Sequence, residues 1–490
     1  MRILTGRKKV IIPISRDDFY DDILGNLKKY LGKALLIHRK NVDECRYLHN
    51  QYLGDQDILH EKTRYDSSQI NNIDVENHHF KQVNFKMGFM YGNPLEYTII
   101  NEDKINSDDM TYLNAYLIDS NKSSLDIEKA QDLYEYGIAY QRLIPKRKPI
   151  QDVESEAPFE LTNMPIENTC IVYSNDIPNE ELFGLVISEK LDKGSKKPKT
   201  IYQIFMPNRK IELDYKYNII TDKPQPYNYI PIKEFCLNKD RIGIIEVVLY
   251  KGNIINKTNS SQMDDFEENV NSFMAIFNQK LDDDFVAKFK ELKKEKVVVL
   301  NSNNPQTPAD IKMLSSDLDQ ESSNSFYERN VKAMYDIVAV PQASGNVTSG
   351  GDTGQARLLG NGWESAQNQG TVDQNSLLQY ERELLKNIIW ICKNTADCPL
   401  NEINASDVAI KFNINMSNNL LIKAESLKML DEINFPEKTN LTICGITKDV
   451  DGVGKAWKEN KENKRKQELE LENSKNNQVI TNNENVEKQK

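Results

Sequence analysis

The spacing of hydrophobic residues predicts a chain that alternates between helical and sheet regions. Apolar residues recur every three or four positions, the period of one helix face, in three N-terminal stretches: 16–62, 71–92 and 107–137. The period changes to two over 139–220, where short runs are rich in β-branched and aromatic residues. This second pattern predicts a β-meander. The fold class predicted from both patterns is α+β.

The middle of the chain carries a long apolar stripe. Its members follow one another at steps of three or four: Phe266, Val270, Phe273, Phe277, Leu281, Phe285 and Phe289. This spacing predicts a helix of about seven turns, roughly 40 Å long. The runs 296–300 and 310–315 then predict a two-stranded tip, and 321–340 predicts a return helix that ends before Pro341. The stripe would lie in the core of a monomer, or pack against other copies around a ring.

The stretch ASGNVTSGGDTGQARLLGNG (343–362) raises the question of a nucleotide site, because glycine-rich loops that open onto helices cradle phosphates. A P-loop requires G-x-x-x-x-G-K-[ST] after a strand. Here Gly350 is followed by Gly351 and Asp352, so the phosphate-binding lysine and the magnesium-binding hydroxyl are both missing. The preceding segment is also predicted to be helical. These departures favour a flexible loop between two helices.

The C-terminal part is predicted to be mainly helical. An amphipathic helix at 372–394 is followed by a strand at 408–416 and by helices at 419–431 and about 453–472. The last residues, 473–490, are rich in Asn, Glu and Lys and are predicted to be disordered.

Composition and charge exclude several classes of function. The net charge of −11 disfavours a chain that grips nucleic acid over its whole surface. All five histidines lie within the first 80 residues, and the six cysteines form no CxxC pair, so neither a metal nor a cofactor is predicted. The acidic runs are interpreted as solvated helix faces. The basic run 288–296 is either an exposed helix end or a contact with DNA or an acidic partner. No apolar run is long enough to span a membrane.

Several diffuse motifs, taken in order, resemble the SPP1-like family of bacteriophage portal proteins over about residues 20–470. Similar stretches are NHHFKQVNFKMGFMYGNPLEY (77–97), LYEYGIAYQRL (133–143) and PIENTCIVYSND (165–176). The most specific stretch, 235–274, resembles an Asn-x-x-x-x-Gly-x-x-Glu segment before the family's stem helix. It places family-like residues at Asn238, Gly243, Glu246, Asn253, Asn256 and Ser260. A Gly-Asn-x-Ser-Gly-like loop followed by alanine corresponds to Gly345, Asn346, Ser349, Gly350 and Ala356.

The resemblance implies the portal fold, with a wing, a two-helix stem, a small β clip and a helical crown, in a ring-forming subunit. The implied boundaries are an N-terminal arm (1–25), wing (26–261), stem helix (262–287), clip (288–318), second stem helix (319–340), tunnel loop (341–355), long helix and return strand of the wing (356–418), crown (419–472) and tail (473–490).

The resemblance also implies functional residues. A tunnel loop lining the DNA channel would contain Gly345, Asn346, Ser349, Gly350, Gly351 and Asp352. A docking surface on the clip for terminase and the head–tail adaptor would contain Lys293, Lys294, Lys296, Asn303 and Asn304. Stem packing would use Phe266, Phe273, Phe277 and Leu281.

The implied partners belong to a capsid vertex. They are a ring of about twelve copies, the terminase large subunit, a head–tail adaptor, the major capsid protein, the scaffold and double-stranded DNA that passes without sequence-specific binding. The implied location is the virion, with assembly in the host cytoplasm. No catalytic activity is implied. Two alternatives remain open from sequence, namely another oligomeric phage connector or baseplate protein, and a nucleic-acid enzyme with an atypical nucleotide loop.

Overall fold

The chain contains two compact units, of which the larger is described almost throughout. A computed structural model describes residues 4–61, 71–100, 107–146, 152, 154–191, 198–270, 273–277, 310–314, 320–342, 362–400, 402–414 and, in part, 427–466. The larger unit comprises 1–343 and 362–415, and the smaller comprises 344–361 and 416–490. The α+β class is confirmed, because both helices and antiparallel sheets form the larger unit.

The N-terminal part of the larger unit is mainly helical, as the sequence predicts, but 71–77, which is also predicted to be helical, is not part of a helix. Its helices are α1 (Arg16–Asp21), α2 (Ile23–Leu53), α3 (Asp57–His60), α4 (His78–Tyr91), α5 (Ser107–Asp119) and α6 (Lys122–Tyr136). Side chains cap three of these helices by accepting a hydrogen bond from a first-turn amide: Ser15 for α1, Asp22 for α2 and Asn77 for α4. The predicted end of α4 at Gly92 is confirmed.

The segment predicted to be an N-terminal arm (1–25) contains a strand that joins a sheet of the larger unit. Strand β1 (Val10–Ile11) pairs in parallel with β5 (Thr169–Tyr173). Val10 and Phe19 are buried in the same core as that sheet. Residues of β1 and α1 therefore belong to the same core as that sheet, and the arm boundary at residue 25 stays a prediction.

Two sheets replace the single meander predicted over 139–220. A six-stranded sheet has the order β1-β5-β6-β7-β8-β9, with β6 (Glu181–Lys190), β7 (Lys199–Met206), β8 (Arg209–Leu213) and β9 (Ile219–Pro224). A three-stranded sheet has the order β10-β3-β4, with β3 (Ile138–Pro145), β4 (Phe159–Met164) and β10 (Ile232–Cys236). The meander is thus confirmed from β5 onward. A 3₁₀ turn at Ile166–Asn168 separates it from β4, whose sheet is completed by β10.

The main core lies between α2 and the six-stranded sheet. Buried residues of α2 contact buried residues of the strands in one cluster, which includes Leu27, Leu31, Leu35, Val172, Leu185 and Ile204. The residues of α2 recur at a spacing of four, so one face of the helix supplies them.

The helix observed here differs in both bounds from the helix predicted at 262–287, and the assignment of a stem stays a prediction. Helix α7 spans Ile244–Val270, and the chain then forms strand β11 (Phe273–Phe277), which pairs antiparallel with β12 (Asp310–Leu314). Phe273, Ala275 and Phe277 recur at every second position, so this segment fits the period of a strand as well as that of a helix. The antiparallel backbone pairing with β12 decides between the two patterns in favour of a strand. The strand predicted at 310–315 is confirmed, whereas its predicted partner, 296–300, lies outside the described residues.

The later helices confirm the predicted order. Helix α8 (Gln320–Ile337) corresponds to the return helix, and α9 (Trp363–Lys393) begins nine residues before the predicted 372. Helix α9 continues through Gly370, where an added Cβ would lie 2.9 Å from Phe89 Cε1 of α4. The glycine therefore permits close packing of the two helices. Strand β13 (Val408–Lys411) pairs antiparallel with β2 (Glu96–Ile99).

The smaller unit is described only in short pieces. Residues 427–432 and 456–461 are helical, in agreement with the helices predicted at 419–431 and 453–472. Lys461 Nζ lies 2.6 Å from Asp431 Oδ1 and joins the two pieces. The assignment of these helices to a crown stays a prediction, and the predicted tail lies outside the described residues.

Candidate functional site

The start of α7 is fixed to the N-terminal segment and to the end of α6 by three residues of the family-like motif. The Asn238 side chain accepts a hydrogen bond from Ile242 N (3.1 Å) and donates one to Ile242 O (2.8 Å), which closes the turn before the helix. At Gly243 an added Cβ would lie 2.3 Å from the carbonyl oxygen of Glu135, at the end of α6. Glu246 accepts from Gly6 N (2.9 Å) and pairs with the buried Arg7. The motif is therefore a junction between three chain segments.

An extended segment, 71–77, lies antiparallel along α7, and we call it the strap. Its backbone amides donate to side chains of the helix in a regular series: Asn72 to Asp264 (2.7 Å), Asp74 to Ser260 (3.0 Å) and Glu76 to Asn256 (3.1 Å). Two residues of extended chain rise about 6.6 Å, and four residues of helix rise about 6 Å. Because these two distances are nearly equal, every second amide of the strap lies beside a side chain four residues further along α7.

The strap explains two further motif residues. Asn256 and Ser260 are fully buried, and besides the strap contacts Ser260 Oγ donates to Asn256 O (2.8 Å) while Asn256 Nδ2 donates to Gln56 Oε1. Buried polar groups need such partners, because an unpaired one costs free energy. These residues thus hold the strap, α7 and the chain near α3 in one arrangement.

We call the junction of α4, α7 and α8 the stem root. Its buried apolar residues form one cluster, which consists of Val248, Ile255, Met334, Tyr335, Val338 and Val340. At its edge His78 Nδ1 lies 3.0 Å from the Tyr335 hydroxyl, and the two rings meet edge to face. Burial lowers the pKa of His78, although Glu76 acts in the opposite direction. The neutral imidazole is therefore favoured, and it links α4 to α8.

Both ends of the segment that contains the predicted tunnel loop meet at the stem root. After α8 the chain reaches Pro341, and α9 begins after Gly362. A Cβ added to Gly362 would lie 3.8 Å from Pro341 Cα, so the two ends are neighbours. Trp363, the first residue of α9, packs its ring against Phe85 and Phe89 of α4, with centroids 5.8 and 6.3 Å away. Pro341 and Gly362, which flank 343–361 in the sequence, are thus neighbours at a packed part of the larger unit.

A buried ionic cluster joins α6 to α9. Lys122 Nζ lies 2.6 Å from Asp126 Oδ1 and 3.0 Å from Glu381 Oε2, and Lys129 also pairs with both carboxylates. Burial alone would raise the pKa of Glu381, but Lys122 and Lys129 outweigh burial and lower it to about 2. The four charges balance, so the cluster is neutral although it is buried.

Only some of the predicted site residues lie in the described part of the chain. Phe266 is on α7 but is 62% exposed, beside an open cavity of about 490 Å³ between the strap and α7. Phe273 and Phe277 are on strand β11 and not on a helix, and their predicted stem packing stays a prediction. The remaining predicted residues lie outside the described residues: Leu281, Lys293, Lys294, Lys296, Asn303, Asn304, Gly345, Asn346, Ser349, Gly350, Gly351 and Asp352.

The sequence did not indicate the partners of the motif residues. Arg7, the strap and Glu135 are separated from α7 by more than a hundred residues along the chain. Their signals are single polar residues without periodicity, so only the fold brings them to the stem root.

The described part of the chain holds no cluster of three or more His, Cys, Asp or Glu side chains suited to a metal ion. Its helices also include none with the length and apolarity to cross a membrane. What the stem root does provide is mechanical: α7 is joined to the strap by hydrogen bonds, and α8 is joined to α4 and α7 by a hydrogen bond and apolar packing.

Comparison with known families is decisive at this point. The model of the phage portal protein family, SPP1 Gp6-like, matches residues 33–467. This chain belongs to that family. In this portal-family chain the motif residues Glu246, Asn256 and Ser260 hold α7 to the N-terminal segment and to the strap. The family is structural and not enzymatic, and membership assigns the chain a phage portal or connector role in the virion.

Solved structures of phage-like particles also resemble this portal-family chain. One is described as "Neck of native GTA particle computed with C12 symmetry", at 13% identity and a TM-score of 0.40. Another is "Virion of native gene transfer agent (GTA) particle", at 12% identity and a TM-score of 0.39. Each match covers 75% of this chain and 89% of the other. A search of curated proteins finds no match.

Proposed function

We propose that the chain is the portal subunit of a tailed phage, and that about twelve copies form a ring at one capsid vertex. Double-stranded DNA passes through this ring during packaging and ejection. The observation that carries the proposal is the order of parts within the family match: wing, α7, β11 and β12, α8, loop, and α9. The unit of helix, β tip and helix corresponds to stem, clip and stem.

The stem begins within the wing on this account. Helix α7 is held by the strap and the motif from Glu246 to Asp264, so the first stem helix is 244–270 and the second is 320–337. The clip then includes β11 and β12. Lys293, Lys294, Lys296, Asn303 and Asn304 are proposed to dock terminase and the head–tail adaptor there. Exposed Phe266 is proposed to pack against a neighbouring copy rather than within one chain.

The segment after α8 is proposed to be the tunnel loop. Between Pro341 and Gln355 its sequence contains one charged residue, Asp352, and no lysine or arginine. DNA binding depends on cations that neutralise phosphates, so such a loop lines a channel without holding the duplex. Anchoring both loop ends at the stem root keeps every copy of the loop at the same height around the DNA.

A native mass measurement of the purified protein tests the ring. The proposal expects one assembly at about twelve times the subunit mass of 56.5 kDa. A species that stays at the subunit mass at all concentrations contradicts it. Crosslinking of packaged DNA in particles tests the loop, which is expected to give links within 341–355. Links confined to other segments would remove the loop from the channel.

A further inference from the structure

Lys86 is a buried cation whose ammonium group lacks a partner. It lies on α4 with 1% of its surface exposed, and among the described residues Nζ has no hydrogen-bond acceptor. Lys122 and Lys129 are buried to a similar degree, but both pair with Asp126 and Glu381. Burial lowers the pKa of Lys86. An unpaired ammonium group in such a place is costly to the isolated subunit.

Lys86 lines a cavity of about 220 Å³ in the stem root. The other walls come from the start of α7, the end of α8 and the first half of α9. Three apolar residues of these helices also line the cavity and are half-exposed, so they form its mouth: Val247 (49%), Ile337 (50%) and Val372 (57%). An apolar mouth around a polar interior is typical of the core of a protein–protein interface.

Asp373 lies in the same cavity but is engaged elsewhere. Its Oδ2 accepts from the Tyr134 hydroxyl (3.1 Å) and its Oδ1 accepts from Gln369 Nε2 (2.9 Å). No ion pair within 4.0 Å joins it to Lys86 in the described part of the chain. The cavity therefore has room for a further acceptor. It exceeds several times the roughly 30 Å³ that one water molecule occupies in the liquid.

We propose that this cavity is a socket between subunits, in which a carboxylate side chain of a second copy of this chain pairs with Lys86. The inference rests on the proposed ring. The chain carries 74 acidic residues against 63 basic ones, so its surface supplies carboxylates. A free anion is less suitable, because it would leave Val247, Ile337 and Val372 in water. A neighbouring copy covers these residues while its carboxylate enters.

The pairing of Lys86 in the socket contributes to the free energy of ring assembly. In the isolated subunit the attraction of Asp373 offsets the desolvation of Lys86 only in part, and in the ring Lys86 gains a charge-assisted hydrogen bond. Part of the free energy of association therefore comes from relieving an unfavourable feature of the free subunit.

A zero-length carbodiimide crosslinker tests the pairing, because it joins an amine directly to a carboxylate. Wild-type rings are assembled from a mixture of ¹⁴N- and ¹⁵N-labelled subunits. The expected result is a mixed-isotope peptide in which Lys86 is linked to an Asp or Glu of another copy. Links from Lys86 only to Asp373 of the same chain, or no link from Lys86 in rings, would overturn the proposal.

The variant Lys86→Met tests the energetic consequence. The isolated subunit is expected to melt at a higher temperature, while the protein concentration needed for half-assembly rises at least tenfold. Lys129→Met is the matched control, and it should lower the melting temperature because it breaks a paired cluster. A Lys86→Met subunit that is less stable, or that assembles at the wild-type concentration, contradicts the socket. If the wild type forms no ring, the proposed function fails instead.

Discussion

Gly243 at the start of α7 contacts the carbonyl oxygen of Glu135 at the end of α6 so closely that no side chain fits between them. A Cβ at Gly243 would lie 2.3 Å from that oxygen and 2.6 Å from its carbon. Both atoms belong to the backbone, so a rotamer change cannot relieve the clash. We predict that Gly243→Ala lowers the free energy of unfolding by about 3 kcal/mol, measured by urea denaturation.

Gly88→Ala is the matched control for that variant. Gly88 lies inside α4, and a Cβ there would meet nothing within 4 Å. Alanine is expected to stabilise the helix by about 1 kcal/mol, because glycine is the poorer helix former. Equal effects of the two variants would mean that the contact between Gly243 and Glu135 does not fix the stem root.

The strap should loosen when Ser260 is changed. In Ser260→Ala the amide of Asp74 loses its acceptor, and the expected cost is about 1–3 kcal/mol. Hydrogen–deuterium exchange should then become faster within 71–77. Thr258→Ala is the control, because Thr258 Oγ1 donates to Ile254 O of its own helix (2.9 Å) and, among the described residues, to no atom of the strap. Unchanged exchange of the strap in Ser260→Ala would show that the series of hydrogen bonds does not hold it.

The buried cluster of Glu381 should govern stability in acid. Its folded pKa is lowered to about 2 by Lys122 and Lys129, against the effect of burial. The stabilisation is therefore complete above the unfolded pKa of about 4.3 and is lost as the pH falls toward 2. Glu381→Gln should cost about 3–5 kcal/mol near neutral pH and flatten the acid limb of stability against pH.

A surface ion pair provides the comparison for Glu381. Arg46 and Glu167 are both more than half exposed and lie 2.7 Å apart. Arg46→Ala should change the free energy of unfolding by about 0–1 kcal/mol. If Glu381→Gln has an effect as small as this, the cluster does not brace α6 against α9.

Asp132 should have the opposite dependence on pH. Burial raises its pKa to about 8, with further contributions from Glu135 and Glu128. Between pH 4 and 8 the folded state holds a proton that the unfolded state has released, so stability falls as the pH rises. Asp132→Asn should remove this part of the decline. Urea unfolding at pH 5 and pH 8 measures it, and identical declines in both proteins would contradict the raised pKa.

The sequence predicts local elements well and distant partners poorly. Helix α4 and its end at Gly92 follow from periodicity and capping, as do the strands from β5 onward. The apolar spacing of Phe273–Phe277 fits both a helix and a strand. The sequence predicts a helix there, and only the pairing with Asp310–Leu314 shows that the segment is a strand.

The site illustrates the same limit. The family-like motif marks Asn256 and Ser260, but their function becomes visible only when the strap, about 180 residues earlier, lies against them. Lys86 has no signal in the sequence, because a lysine on a helix is usually solvated. Lys86 is buried because α4, α7, α8 and α9 pack together around it.

Electron microscopy of the purified full-length protein tests the central claim most directly. Stained or frozen particles viewed end-on should average to closed rings of about twelve units, with a central channel wide enough for a DNA duplex. Side views should show a narrow stem below a broader wing. Compact single subunits, or closed particles without a central channel, would contradict the account.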